Sequence, residues 1–320
     1  MTQNKEWKSF ADQLEILKSR GLLVDNEPAA LDYLDRIGYY RLSGYWYSFR
    51  ELEITQDADG KLNHHRSDNF IAGSHFEDAV KLYIFDKKLR LLALDALERI
   101  ELAVRVDIAH LLGEQDIHAH ENADLFNGHF SRKLITKGRD KGKTQHQVWL
   151  ERYEHGLFRA RREPFVSHYK DKYGRLPIWV AIEIWDFGLM SKLYAGMKPN
   201  DQLGIAEKYG AVNGRAFSGW LRSFNFIRNV SAHHSRLWNI NVLERATLLQ
   251  EDNYWQSLNN ARPFYYFCLM RKFMAVICPN SSWSNRFAEL VAEFPDVGCN
   301  AVSLRDFDLP EKWQEWDLWS

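Results

Sequence analysis

Apolar residues recur at steps of three and four along most of the chain, which is the spacing of amphipathic helices. The longest such pattern covers residues 76–112, where no glycine or proline occurs, and it predicts one long helix or two abutting helices. Alternation with a period of two is scarce outside Tyr45 to Phe49, where a short strand is the most that is expected. The pattern predicts a mainly α fold. Further helices are predicted over residues 147–172, 177–194, 201–210, 214–232, 239–250, 262–278 and 284–294.

Two short helices are predicted near the start of the chain. Apolar positions over residues 7–17 form one helical stripe, which ends at Gly21. Asn26 and Pro28 are the residue types of a helix cap and a first-turn proline, so a second helix is expected to begin there. The aromatic segment 38–50 follows, and core packing is favoured there over base stacking.

The patterns divide the chain into three segments. Residues 1–75 hold the N-terminal helices, the aromatic segment and a polar stretch, 52–75, whose turn sequence DADG predicts a loop. Residues 76–280 form a helical domain with a polar, basic insertion at 113–176. Residues 281–320 form an acidic C-terminal extension.

Charge is balanced overall but clustered locally. The 320 residues carry 42 Lys and Arg against 43 Asp and Glu, so a polybasic nucleic-acid coat protein is excluded. Residues 131–175, however, hold 13 basic against 5 acidic residues, interleaved with aromatic side chains. Cations attract phosphates and aromatic rings stack on unpaired bases, so this block predicts RNA binding, although a solvated helix pair with its aromatics in the core explains it equally well. The candidate RNA-binding residues are Arg159, Arg161, Arg162, Lys170, Lys172, Arg175 and Arg236.

Several classes of site are disfavoured. The Gly138–Thr144 segment is one residue short of a phosphate-binding loop, which argues against an ATPase. No apolar run has the length of a signal peptide or membrane span, and the expected location is the cytoplasm. No metal or cofactor is expected. Three cysteines without a C-x-x-C pair exclude a disulfide framework, and three histidines of a polar loop are interpreted as surface residues; these are Cys268, Cys278 and Cys299, and His118, His120 and His129.

The sequence FNFIRNVSAHHSRLWN, residues 224–239, carries the strongest chemical signal. Arg228 and His233 form an R-x4-H motif, with Asn229 directly after the arginine and His234 after the histidine. A guanidinium can hold a phosphate and its transition-state charge, and an imidazole can move the proton of a ribose 2′-hydroxyl. The residues therefore suit cleavage of RNA, since DNA lacks that hydroxyl.

The spacing of the motif sets a condition on its geometry. Five residues along an ideal helix place Arg228 and His233 about 140° apart. They converge only if the helix breaks near the motif or if two copies contribute to one site. A second R-x4-H, formed by Arg105 and His110, either joins the site or is an ordinary ion pair of Arg105 with Glu101 beside an unrelated histidine.

Four stretches resemble the Abi-like family, the AbiD and AbiF group of bacterial abortive-infection proteins. They occur in the family's order and cover the chain from about residue 5 to 280. They are LDRIGYYRLSGYWYSF (34–49), FEDAVKLYIFDKKLRLLALDALERIELAVR (76–105), IWVAIEIWDFGLMSKLY (178–194) and IRNVSAHHSRLWN (227–239).

The resemblance implies a HEPN-like helical bundle that acts as a metal-independent endoribonuclease through R-x4-6-H. Arg228 and His233 would then be catalytic, Asn229 would orient the motif, and His234 would be an alternate. It also implies phage defence by RNA cleavage, a small noncoding RNA as a plausible partner, and a composite site that would favour a homodimer.

Two other interpretations stay open. The protein could be an RNA-binding sensor or scaffold that no longer cuts, and a buried His233 would favour this. Phosphate or nucleotidyl transfer by another catalytic set is a third interpretation, but no carboxylate pattern typical of Mg²⁺ sites supports it.

Overall fold

A computed structural model describes residues 6–56, 60 and 62–319 of the chain. The predicted mainly α fold is confirmed. A single two-stranded antiparallel sheet occurs among the described residues. The elements are α1 (Phe10–Ser19), α2 (Glu27–Arg36), α3 (Tyr39–Trp46), β1 (Arg50–Gln56), β2 (Leu62–Phe70), α4 (Phe76–Gln115), α5 (Gly128–Ser131), α6 (Gln145–Arg159), α7 (Pro164–Tyr173), α8 (Ile178–Ala181), α9 (Phe187–Gly196), α10 (Pro199–Lys208), α11 (Gly214–Ala232), α12 (Asn253–Ser257), α13 (Pro263–Ile277) and α14 (Trp283–Ala292).

The long helix α4 organises the fold. It is one continuous helix of 40 residues, about 60 Å long, as the uninterrupted pattern over 76–112 predicts. Helices α3, α8, α9, α10, α11, α13 and α14 pack against it. Its buried side chains therefore include apolar residues on several sides and three ionic residues, Asp78, Asp86 and Arg90.

The N-terminal helices begin where their capping residues predict. The Ser9 side chain accepts the N–H of Asp12 and forms a capping box at the start of α1. The Asn26 side chain accepts the N–H of Ala29, and Pro28 lies in the first turn of α2. The expected strand at Tyr45–Phe49 is wrong, because these residues end α3 and form a 3₁₀ turn.

The loop predicted over residues 52–75 is also wrong, because β1 and β2 form a hairpin there. Both strands are exposed over most of their length. In β1, Leu52 and Ile54 alternate with polar residues, so a short period-two signal is present there although the loop prediction does not use it. Two backbone hydrogen bonds fix the base of the hairpin, from the N–H of Phe70 to the oxygen of Arg20 and from the N–H of Ile71 to the oxygen of Phe49. Most of the DADG sequence, residues 57–59, lies outside the described residues.

Residues 239–250, predicted to be a helix, are irregular. The hydroxyl groups of Tyr265 and Tyr266 on α13 accept the N–H groups of Leu249 and Ala246. Tertiary hydrogen bonds thus replace the bonds of a helix, although buried apolar residues recur with helical spacing. The predicted helices at 147–172 and 177–194 are each divided, into α6 and α7 and into α8 and α9.

The core is continuous from the first helix to the C-terminal end. Trp313 and Trp319 lie against the ring of Phe287 on α14, with centroids 5.3 and 4.6 Å apart. The acidic extension therefore packs its tryptophans into the core. The division of the chain into three segments stays a prediction. None of the described helices combines the length and the apolarity needed to cross a membrane.

Candidate functional site

Helix α11 carries the R-x4-H motif at its C-terminal end. Arg228 and Asn229 lie in the last turn, and the helix ends at His233, whose N–H bonds to the oxygen of Asn229. His234 adopts a left-handed backbone conformation with φ of 59°. Helical hydrogen bonding therefore continues from Arg228 to His233 and the helix ends just after the motif, so no break between Arg228 and His233 brings the two side chains together. His233 and His234 are both exposed.

The backbone after the motif is held by α3. The guanidinium of Arg41 donates a hydrogen bond of 2.5 Å to the carbonyl oxygen of His234. In the opposite direction, the guanidinium of Arg236 donates to the carbonyl oxygen of Gly44. Arg41 of α3 thus binds the backbone of residue 234, and Arg236 in turn binds the backbone of α3. The aromatic segment is a structural support of the motif as well as part of the core.

A buried carboxylate on α4 holds the next two residues. Asp86 is completely buried and accepts the N–H groups of Leu237 and Trp238 at 2.9 and 2.7 Å. Arg90 and the Tyr45 hydroxyl also donate to it. Burial raises the pKa of the Asp86 carboxyl, whereas these four donors oppose the increase. The charge of Asp86 is therefore fully matched by hydrogen bonds.

A cleft of about 480 Å³ opens beside the last turns of α11. Four arginine and lysine side chains line it, against the single carboxylate of Asp186, and the first turn of α9 forms one wall. The Asp186 carboxylate caps this helix by accepting the N–H of Leu189 at 2.7 Å, so the excess positive charge of the cleft comes from the arginine and lysine side chains. The lining residues are Arg152, His155, Gly156, Arg159, Ile184, Asp186, Phe187, Gly188, Leu189, Lys192, Asn225, Arg228 and Asn229.

Charges interact closely in this cleft. Desolvation and the neighbouring Arg152 charge lower the pKa of the Lys192 ammonium, and Asp186 opposes the shift. Glu101 is outside the lining but close enough to interact with Arg228; desolvation raises the pKa of its carboxyl, whereas the charges of Arg105 and Arg228 oppose that increase. An incoming phosphate would relieve the mutual repulsion of the cations.

The structure brings some of the predicted site residues together. Arg228, Asn229 and Arg159 line the cleft, whereas His233 and His234 are outside its lining. Arg161 stacks on the ring of Phe158 at 4.0 Å. Lys170 and Lys172 are exposed on α7, Arg162 is exposed just before it, and Arg175 pairs with Glu121. RNA contacts of these residues and of Arg236 stay predictions.

The second R-x4-H does not reach this cleft. Arg105 donates to Glu101 and to the carbonyl oxygen of Trp185, and it is largely buried. His110 instead lines a separate cavity of about 510 Å³ with Trp179. These contacts favour the interpretation of Arg105 as a structural ion pair.

Sequence reasoning missed three cleft residues, Arg152, His155 and Lys192. A signal was present for two of them, because Arg152, His155 and Arg159 follow one another at i, i+3 and i+7 and share one face of α6. Lys192 lies on α9, and only the tertiary fold brings it to the same cleft.

The interpretation of His120 as a surface residue is wrong. His120 is completely buried, its ring centroid lies 5.0 Å from that of Tyr153, and burial lowers its pKa to about 3. Among the described residues, one group has donor atoms close enough for a shared metal ion, Asp25, His75 and Glu77. His75 and Glu77 already bond to the side chain and the backbone of Asp25.

The family comparison agrees with this organisation. Residues 32–239 match the family model described as Abi-like protein. The match spans well over half of the chain and includes α3, α4, the cleft and the motif, so the protein belongs to the Abi-like family. This membership points to abortive infection, a form of phage defence. No curated protein matches the chain, and no solved structure does.

Proposed function

We propose that the protein is a metal-independent HEPN endoribonuclease that cuts single-stranded RNA in the cleft. One observation carries the proposal: Arg228 and Asn229 of the motif line a cleft with three further cations and an imidazole. Such a cleft is suited to one phosphate group and its transition-state charge.

The reaction needs only a ribose 2′-hydroxyl and two proton-transfer steps. An imidazole takes the proton of the hydroxyl, and the 2′-oxygen attacks the adjacent phosphorus. The bond from phosphorus to the 5′-oxygen breaks as that oxygen receives a proton from a second, protonated imidazole. The products are a 2′,3′-cyclic phosphate and a 5′-hydroxyl, and no electrons are gained or lost.

The chain offers residues for each role. Arg228 would hold the scissile phosphate, and Asn229, whose amide oxygen accepts from Arg228 at 3.4 Å, would orient it. His155 lies in the cleft, and His233 lies at the exposed end of α11. We assign these two imidazoles as the acid and base, with His234 as an alternate.

The biological role follows from the family. Cleavage of RNA in an infected cell would stop its growth and with it the phage. A small noncoding RNA is a proposed partner and a homodimer a proposed assembly, and the proposed location is the cytoplasm. Expression of the native chain is then expected to arrest growth, whereas His233→Ala at equal abundance is expected to leave growth normal. Arrest by the variant would contradict the role of His233.

One observation favours a second function. His233 does not line the cleft, so the cleft could hold RNA without cutting it, as a sensor or scaffold would. The exposure of His233 argues against the scaffold, because a histidine that no longer takes part in cleavage is expected to be buried. RNA that copurifies with the protein, intact and uncut after incubation, would support the scaffold.

A further inference from the structure

Three surface cavities on one side of the protein are joined by shared side chains. Lys192 lines both the cleft of about 480 Å³ and a second cavity of about 690 Å³. His129 and Gln145 line that second cavity and a third one of about 270 Å³. The three cavities are therefore neighbours in a row that extends well beyond the R-x4-H motif.

Basic side chains occur along the whole of this row of cavities. Beyond the four cations of the cleft, Arg215 lines the second cavity, and Lys133 and Lys137 line the third. Arg215 and Arg228 lie at opposite ends of α11, and 13 helical residues correspond to about 20 Å. A path of this length passes several phosphates of a nucleic-acid strand.

Arg228 donates to the neutral amide oxygen of Asn229, but the charges of the path are not matched by ion pairs among the described residues. Within the described part of the chain, no carboxylate forms an ion pair with Arg152, Arg159, Lys192, Arg215, Arg228, Lys133 or Lys137. Three nearby basic residues outside the path are paired. Arg132 pairs with Asp124, Lys143 with Glu151 and Arg175 with Glu121. Arg162, Lys170 and Lys172, outside the path, also form no ion pair among the described residues, so the concave arrangement of the path's charges, together with their lack of pairing, is what a polyanion would match.

The far part of the path has a fixed shape. The side-chain amide of Asn127 donates to the carbonyl oxygens of residues 195–197 and so ties the α5 region to the end of α9. A β-carbon at Gly196 would come within 2.4 Å of the Phe130 ring, which lines the second cavity. The close approach of the Phe130 ring therefore requires glycine at position 196, and this contact keeps α5 and α9 together.

We propose that a single strand of RNA follows this path, from the Arg228 cleft across Lys192 and Arg215 to Lys133 and Lys137. The inference rests on the proposed function, since it names how the substrate of the same cleft is bound. Concave cavities of this size accommodate unpaired nucleotides. Recognition would be through the phosphates, so the strand is held with little dependence on sequence.

The test is the salt dependence of binding to single-stranded RNA that carries 2′-O-methyl groups, which cannot be cleaved through the 2′-hydroxyl. The variant combines Lys133→Gln, Lys137→Gln and Arg215→Gln in the full chain. The slope of log K against log salt is expected to fall by about 2 units, because each lost phosphate contact on a single strand contributes about 0.7. The variant is expected to lose affinity for strands of about twelve nucleotides and to lose little affinity for strands of about four.

The control variant removes the same charge elsewhere, by Arg36→Gln, Lys87→Gln and Lys312→Gln, which are exposed and line none of the three cavities. Its slope is expected to match the native protein. An unchanged slope in the path variant, an equal fall in the control, or no binding by the native protein would each overturn the inference. Cleavage of unmodified RNA is measured separately, so a protein that binds along the path but never cuts contradicts only the proposed function.

Discussion

Arg41 on α3 donates a hydrogen bond to the carbonyl oxygen of His234, and so links residues that are 193 positions apart in the chain. The bond holds the backbone at the point where α11 has just ended and where His234 adopts positive φ. The N-terminal aromatic segment therefore helps to determine where the histidines of the motif lie. Both partners fall within the part of the chain that matches the Abi-like family.

Arg41→Ala is expected to lower RNA cleavage about 10- to 100-fold, because the histidines would lose their fixed position relative to Arg228. RNA affinity is expected to stay near the native value, since Arg41 lines none of the three basic cavities. Cleavage rate and affinity are measured on the same RNA. Arg36→Ala, a nearby exposed arginine, is the control and is expected to cleave normally. Equal cleavage rates of the two variants would contradict the positioning role of Arg41.

Asp86→Ala is expected to reduce the free energy of unfolding by about 3–5 kcal/mol, because Arg90 would be left buried without its partner. Two backbone N–H groups would also lose their acceptor. Urea denaturation measures the change. The control is Asp32→Ala on the surface of α2, where the pair with Arg36 is exposed and a change within about 0.5 kcal/mol is expected. A loss below about 1 kcal/mol at Asp86 would contradict the role assigned to it.

His120 is expected to make the protein less stable in mild acid. Its pKa is about 3 in the folded state because of burial, against 6.5 for an ordinary histidine. As the pH falls below about 6.5, His120 binds a proton in the unfolded chain but not in the folded protein. The free energy of unfolding therefore decreases by about 1.4 kcal/mol per pH unit. Urea denaturation at about pH 7 and about pH 5 tests this.

The matched variant is His120→Phe, which keeps an aromatic ring beside Tyr153 and removes the titrating group. A shallower dependence on pH is expected. Some dependence is expected to remain, because burial also lowers the pKa of His146. An equally steep dependence in the variant would assign the effect to other groups.

Arg159 and Arg161 are expected to differ in RNA binding although they are two residues apart. Arg159 lines the cleft, whereas Arg161 stacks on Phe158 and donates to its carbonyl oxygen at 2.7 Å. Arg159→Gln is therefore expected to reduce the salt slope of binding by about 0.7, and Arg161→Gln to leave it nearly unchanged. The reverse order would show that RNA follows the exposed side of the basic block.

Much of the helical framework is predictable from local pattern. The apolar period of α4 is uninterrupted, and the caps at Ser9 and Asn26 each bond within a few residues. Such local patterns can be predicted from the sequence. The exposed hairpin lacks a buried face, and its period-two signal is limited to Leu52 and Ile54 in β1, which is too short to predict a hairpin. Residues 239–250 carry a helical spacing that hydrogen bonds from α13 override.

The site is predictable only in part, because the tertiary fold and not the local sequence brings some of its residues together. Arg228 and Asn229 stand out through their neighbours in the motif. The cleft itself needs α6, α9 and α11 to meet, and Lys192 carries no local sign of this. His155 has a sign in its spacing from Arg152 and Arg159, but these three residues alone form too short a pattern to identify a cleft.

The most direct test of the account is cleavage of labelled single-stranded RNA in the presence of EDTA, with analysis of the product ends. The native protein is compared with variants that each retain the native fold by circular dichroism, namely Arg228→Ala, His233→Ala, His155→Ala and, as the control, His110→Ala outside the cleft. We expect 2′,3′-cyclic phosphate ends from the native protein and the control, and loss of cleavage in the other three variants. Cleavage that persists in Arg228→Ala, or that requires a divalent metal, would contradict the proposed function.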